Sequence, residues 1–384
     1  MLLYYTYLAL ASARATGGIW ILFLLGRGLP LWEIGLLESA FHATVLVAEV
    51  PTGYFADRVG HRASLALGAL CGVASNLMFL AARTPGVYLA AFMLSALSWV
   101  LPSGADRALL YAMTADAKDY PHRAAHAGGV RSLASAGGIF AGGALAAIGG
   151  LALPYYGESA ALGLAFFAAL WLREPAHAQG PRDQEVPWRE ILPAARGLWA
   201  PILAGAFTFA AMNLASLLLQ PLLAARGAAA SLVAWARGTS DLALAGGSFA
   251  AARVRDPRAR GRMVRLLPLA LAAVYTGLGT LSLWPAAALQ QVESAAGGAY
   301  EAALDAEQTP LFPGRLRATL LSLQSALQSG LVAALFPLLG WLSQAAGWGA
   351  VFLAAGCLAA AGAVLWRAAR HPAAQQEAAE TANT

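Results

Sequence analysis

The stretch EVPTGYFADRVGHR, Glu49 to Arg62, decides how the rest of the chain is read. It begins inside an apolar run and ends in charge at Asp57, Arg58, His61 and Arg62. Composition says what kind of run it closes. Of 384 residues, 59% are hydrophobic and only 12% charged, where a soluble domain is about 25% charged. The apolar runs last about 20 residues, the length that crosses a hydrocarbon core of about 30 Å. The chain reads as an all-α polytopic membrane protein, and the charged end of this stretch as the point where a helix leaves the bilayer.

The other apolar runs give twelve spans, at 3–25, 31–55, 63–82, 86–111, 126–149, 151–171, 198–224, 230–252, 264–283, 285–306, 318–344 and 348–368. The first follows Met1 directly as LLYYTYLALASA, with no basic region before it, so it is expected to remain as a helix and not be cleaved as a signal. The fifth and sixth nearly touch, which requires a tight turn near Gly149–Leu151. The tenth is polar for a membrane helix. Most of the 25 Lys and Arg residues fall in loops on the side of Arg58 and Arg62, and only Arg27, Arg83 and Arg226 in loops on the other. The positive-inside rule then places both termini in the cytoplasm. The net charge of +5 is a topology signal and a contact for anionic membrane lipids; it calls for no nucleic acid.

The longest polar stretch, REPAHAQGPRDQEVPWRE from Arg173 to Glu190, follows six spans. It divides the chain into an N-terminal six-helix bundle (1–172), a cytoplasmic linker (173–196), a C-terminal six-helix bundle (197–370) and a tail (371–384). The halves repeat: Gly53-Tyr54-Phe55-Ala56-Asp57 closes the second span and Gly247-Ser248-Phe249-Ala250-Ala251 the eighth, each followed by arginine. Cys71 and Cys357 lie far apart in apolar runs, which suggests neither a disulfide framework nor a metal site. No Walker loop, nucleotide fold or Cys/His metal spacing is visible, nor a convergent nucleophile and base. ATP-driven transport and enzymatic chemistry are therefore disfavoured, and no cofactor is implied.

GYFADRVGHR resembles the loop between helices 2 and 3 of the major facilitator superfamily, Gly-x-x-x-Asp-Arg-x-Gly-x-Arg, at Gly53, Asp57, Arg58, Gly60 and Arg62. The resemblance implies twelve helices in two six-helix bundles that rock about a central cavity. It also implies a gate in which Asp57 caps or pairs across to helix 11. GGIFAGG, Gly137 to Gly143, resembles the Gly-Pro-x-x-Gly-Gly motif of the drug/proton antiporter branch, with Ile139 in place of proline. Within the gate, Gly53 would let a neighbouring helix approach closely, and Pro51 would bend the second helix. Asp106 and Arg107, at the inner end of the fourth span, would help to close the same side.

Inside the spans, charge is expensive and must face protein or water. At about 100° per residue, Glu38, His42 and Glu49 form one stripe on the second helix, expected to face the bundle interior. Arg14 in the first span is a candidate partner, with Tyr7 on its face, and a carboxylate that alternates between pairing and burial would carry a proton. Glu293 and Glu301 in the tenth span are further proton candidates. Trp20, Trp99, Arg131, Asn213, Gln220, Gln324 and Gln328 are candidates for the substrate cavity. Mixed charge and aromatic walls suit a cationic or neutral amphipathic compound. The expected protein is a monomeric, proton-coupled secondary transporter of the bacterial inner membrane that exports a small amphipathic compound or drug. A symporter importing a nutrient is the alternative, and a non-transporting scaffold or receptor a remote one.

Overall fold

The computed structural model describes residues 1–114, 116–174, 193, 195–313 and 316–368. Most of the 173–196 linker and all of the 371–384 tail therefore lie outside the described residues. Every regular element described is helical, and the helices supply the twelve crossings. They are α1 (Leu2–Ser12), α2 (Trp20–Gly26), α3 (Leu31–Val59), α4 (His61–Ala81), α5 (Pro85–Val100), α6 (Ala105–Ala112) and α7 (Tyr120–Gly149). They continue as α8 (Leu153–Trp171), α9 (Trp199–Ala225), α10 (Ala230–Ala252), α11 (Pro257–Thr280), α12 (Leu283–Gln308), α13 (Arg317–Ala345) and α14 (Gly347–Ala368). Eight crossings pass as apolar spans on length and hydropathy alone. Helices α8, α10 and α12 fall short because each carries mid-span charge: Glu158, Arg237 with Asp241, and Glu293 with Glu301.

Ten crossings are single helices, and α3 runs through Pro51 without interruption. Two are broken. The first stops at Ser12 and restarts at Trp20, and the fourth stops at Val100 and restarts at Ala105, after Gly104 at φ +79°. The tight turn between the fifth and sixth spans falls at Gly150, with φ +73°, a conformation glycine adopts without strain.

Contacts gather the chain into two compact units. One holds the first six spans together with Leu217–Leu242 and Ala333–Trp341. Its core packs Tyr4, Tyr7 and Leu8 of α1 against Leu65 and Ala69 of α4, Leu109 of α6 and Ala165 and Ala169 of α8. Small residues let the helices close. A Cβ on Gly72 would stand 2.6 Å from Ser98 Oγ and 2.8 Å from Leu162. The other unit holds the rest of the C-terminal spans, with a core of Ala204, Val264, Tyr300, Leu304 and Trp366. There α11 lies along α14, where a Cβ on Gly279 would meet Gly349 Cα at 3.0 Å.

Candidate functional site

The interruption of the first span, Ala13–Ile19, organises the site. Its sequence, ARATGGI, puts β-branched Thr16 and two glycines in mid-helix, and the chain turns there through Gly17 N–H to Arg14 O (3.3 Å) and Ile19 N–H to Thr16 O (2.9 Å). Backbone freed from helical bonding at membrane depth needs other partners. Glu158 of α8 supplies one: its Oε2 accepts both the backbone N–H and the hydroxyl of Thr16, each at 2.7 Å. Gln220 of α9 supplies another by donating Nε2–H to Gly17 O at 3.1 Å. The Oε1 of Gln220 is buried without a hydrogen-bond partner among the described residues.

GGIFAGG of α7 forms the floor of this break. A Cβ on Gly142 would overlap Ala15 O, and one on Gly138 would stand 2.6 Å from the carbonyl carbon of Ala13. Gly143 faces the Trp235 ring, whose indole N–H donates to Phe140 O. Only glycine admits backbone this close.

Arg14 projects from the break with an exposed side chain. Its guanidinium carbon stands 4.2 Å above the ring of Trp99, itself 51% exposed. The charged groups near enough to act on it are Glu158, Arg131, Asp241 and Arg237. The expected pairing of Arg14 with a glutamate of α3 is therefore not formed. Arg131 instead bonds Asp106 at 2.6 Å, and the Tyr4 hydroxyl donates to the backbone oxygen of Asp106. Asp106 thus pairs with α7, while its neighbour Arg107 is exposed.

On α3, Glu38 and His42 stand 3.7 Å apart with side chains 13% and 14% exposed. Glu49, on the same stripe, is exposed. Glu293 in α12 is buried and accepts from the Tyr275 hydroxyl at 3.0 Å and from Ser294 at 3.1 Å. Glu301 is exposed.

The cavity candidates divide. Trp99 and Arg131 present accessible side chains; Asn213 and Gln328 are half-buried. Tyr7 lies in the core, and Trp20 packs edge-on to Phe92 at 5.9 Å. Gln324 is buried and accepts from Gln308, which also donates to Pro201 O. Tyr7 and Gln324 are packed among buried neighbours in this structure.

At the basic end, Asp57 is exposed and makes no ion pair among the described residues. Arg58 stacks on Tyr54 at 4.7 Å. Nothing lies within 4 Å of a Cβ built on Gly53, whereas one on its counterpart Gly247 would overlap Ala295 O. The close approach expected of Gly53 thus occurs in the second copy. Gly60, at φ +113°, links α3 to α4 and leaves room for Glu174, whose Oε2 would stand 2.8 Å from a Cβ there. Glu174 accepts from His61 N–H at 2.8 Å and Arg62 N–H at 3.2 Å, with His61 Nδ1 at 2.7 Å. Partial burial pushes the carboxyl up, but the donors from His61 and Arg62 outweigh it and hold it below the usual glutamate range. Sequence reasoning missed Glu158 and Glu174 as site residues. The glycine pair Gly17-Gly18 beside Arg14 was the available signal for the break.

Three solved structures share the fold across nearly the whole chain. A mutant form of the nucleoside transporter NupG is 13% identical with a TM-score of 0.72, covering 97% of this chain and 100% of that one. A bacterial homolog of the human lysosomal transporter Spinster, inward-facing and occupied, is 18% identical with a TM-score of 0.70, covering 96% and 95%. A D-xylose-proton symporter is 14% identical with a TM-score of 0.70, covering 95% and 94%. A curated relative, the uncharacterized MFS-type transporter YxaM of Bacillus subtilis (strain 168), is 33% identical over 86 residues, a stretch that spans 22% of either chain. Residues 6–295 match the family profile itself, and with twelve crossings in two six-helix bundles, the chain belongs to the Major Facilitator Superfamily.

Proposed function

We propose that this protein is a proton-coupled secondary transporter of the bacterial inner membrane, working as a monomer. It would export a small amphipathic organic compound by alternating access, with the basic end and both termini in the cytoplasm. The observation that carries the reading is the Glu38–His42 pair, a carboxyl and an imidazole 3.7 Å apart and almost enclosed within a membrane span. Ionisable groups held at such depth are costly and mark proton or substrate routes, and histidine titrates near neutral pH. The arginine-rich loops support the orientation. The matched loop motif supports a gate at Asp57, Arg58 and Arg62.

The test is paired flux in proteoliposomes. With a pH gradient imposed, Glu38→Gln and His42→Ala are expected to lose pH-driven flux and to keep exchange of substrate down its own gradient. Glu49→Gln, exposed in this structure, is expected to do so less completely. If all three keep pH-driven flux at the wild-type rate, the proton path lies elsewhere, with Glu293 next in order. The direction of flux relative to the pH gradient separates export from import by symport.

A further inference from the structure

We propose that Arg14, stacked on Trp99, is the anchor for an anionic group on the transported compound, and that the substrate class is an amphipathic monocarboxylate. The inference rests on the transporter reading and sharpens its substrate. It replaces the cationic or neutral compound that mixed charge in the sequence suggested.

The first support is what Arg14 lacks. A guanidinium stays ionised and presents five N–H donors. Among the described residues Arg14 has one contact of this kind, the Trp99 ring at 4.2 Å. That contact engages its face and leaves the donors at its edge unused. No carboxylate lies within ion-pair distance of it among the described residues. An exposed arginine at mid-span depth whose edge donors have no protein partner among the described residues is available to an anion reaching it from the accessible side.

The second support is the state of its charged neighbours. Arg131 is held by Asp106 at 2.6 Å, and Arg237 by Asp241 at 3.0 Å. Glu158 accepts two hydrogen bonds from Thr16 on one oxygen, which ties it to the backbone break. Of these described cations, Arg14 is left over for an incoming ligand, which matches a monoanion better than a phosphate dianion. A planar carboxylate can engage the guanidinium edge through two parallel hydrogen bonds. Trp99, 51% exposed, offers apolar area beside the anchor.

The third support is positional. Because the break is locked by Glu158, Gln220 and the α7 glycines, Arg14 is mounted on irregular backbone fixed from three spans. Interrupted helices of this kind recur at transporter binding sites.

The test uses purified full-length protein in detergent at neutral pH and constant ionic strength, titrated calorimetrically with 1-naphthoate, 1-naphthamide and 1-naphthylmethylammonium. We expect the carboxylate to bind at least about tenfold more tightly than the other two, the loss that goes with one charge-assisted contact. Arg14→Gln should abolish that preference and Arg14→Lys should restore part of it. Wild-type protein provides a second readout that needs no variant. Phenylglyoxal modification of Arg14, followed by peptide mass spectrometry, should be slowed by 1-naphthoate and not by the amide. Equal binding of the three probes, carboxylate binding unchanged in Arg14→Gln, or labelling of Arg14 insensitive to 1-naphthoate would overturn the proposal. Carboxylate binding at Arg14 without flux would leave this site standing and sink the transporter reading; proton-driven flux with no carboxylate preference would do the reverse.

Discussion

Replacing Glu174 with alanine removes three contacts at once, to His61 N–H, His61 Nδ1 and Arg62 N–H. The two backbone donors belong to the first turn of α4, where no helical carbonyl can reach them. A side-chain cap is worth about 1 kcal/mol, and a carboxylate at a helix N-terminus adds roughly 0.3–1 kcal/mol. The side chain is 24% exposed, and solvent screening trims the electrostatic share, so the expected loss is about 1 kcal/mol. That corresponds to a fall of about 2–4 °C in the thermal midpoint for a unit of this size. The pH dependence has a definite sign. The folded carboxyl titrates below its ordinary value of 4.5, so its contribution is complete above that value and fades as pH drops through the lowered one. Intrinsic-fluorescence melts of wild type and Glu174→Ala in detergent should differ by a constant amount from neutral pH down to about 5 and converge in more acid buffer. Glu174→Gln, which keeps an acceptor and loses the charge, should fall between them. Coincident melts at neutral pH, or a gap that widens in acid, would refute the capping argument.

Three further outcomes follow from the geometry. Gly142→Ala forces a methyl into Ala15 O and should cost about 1–3 kcal/mol, whereas Gly137→Ala, with nothing within 4 Å, should be neutral or slightly stabilising by helix propensity; equal melts would contradict the packing at the break. Asp57→Asn should leave expression and melting unchanged while shifting label-to-label distances across the basic end and impairing flux, and unaltered distances with normal flux would remove Asp57 from the gate. Tyr275→Phe takes a donor from buried Glu293 and should lower stability by about 1–2 kcal/mol, a claim that fails if the melt moves by less than about 1 °C.

Hydropathy made the twelve crossings legible because the signal is long and repeated, and even the polar tenth span forms one helix, α12. The break at Ala13–Ile19 was hidden because flanking Leu and Ile residues keep the average apolar across it. The Glu38–His42 contact was accessible because i and i+4 share a helix face. The surroundings of Glu49 were not, since periodicity fixes a direction along one helix and says nothing of what stands opposite. Arg14 stood out in the sequence as a cation at mid-span depth, yet its neighbours come from α5, α7, α8 and α10, spans remote in sequence. Glu174 looked like the start of a linker because Pro175 and a charged run follow it. Only the folded chain brings it beneath α4.

At the end away from the basic loops, α3 and the Ala333–Trp341 segment of α13 approach closely through backbone at two glycines. A Cβ on Gly35 would stand 2.6 Å from Pro337 N, and one on Gly340 2.8 Å from Leu31 O, while the Ser39 hydroxyl donates to Ala333 O. These backbone contacts themselves carry no ion to screen. Their making and breaking should be nearly blind to ionic strength, whereas the loops around Asp57, Arg58 and Arg62 should respond to it. Salt would then act on one end of the molecule alone, and a titration of conformation against ionic strength would report on that end as if the other were a fixed hinge plate.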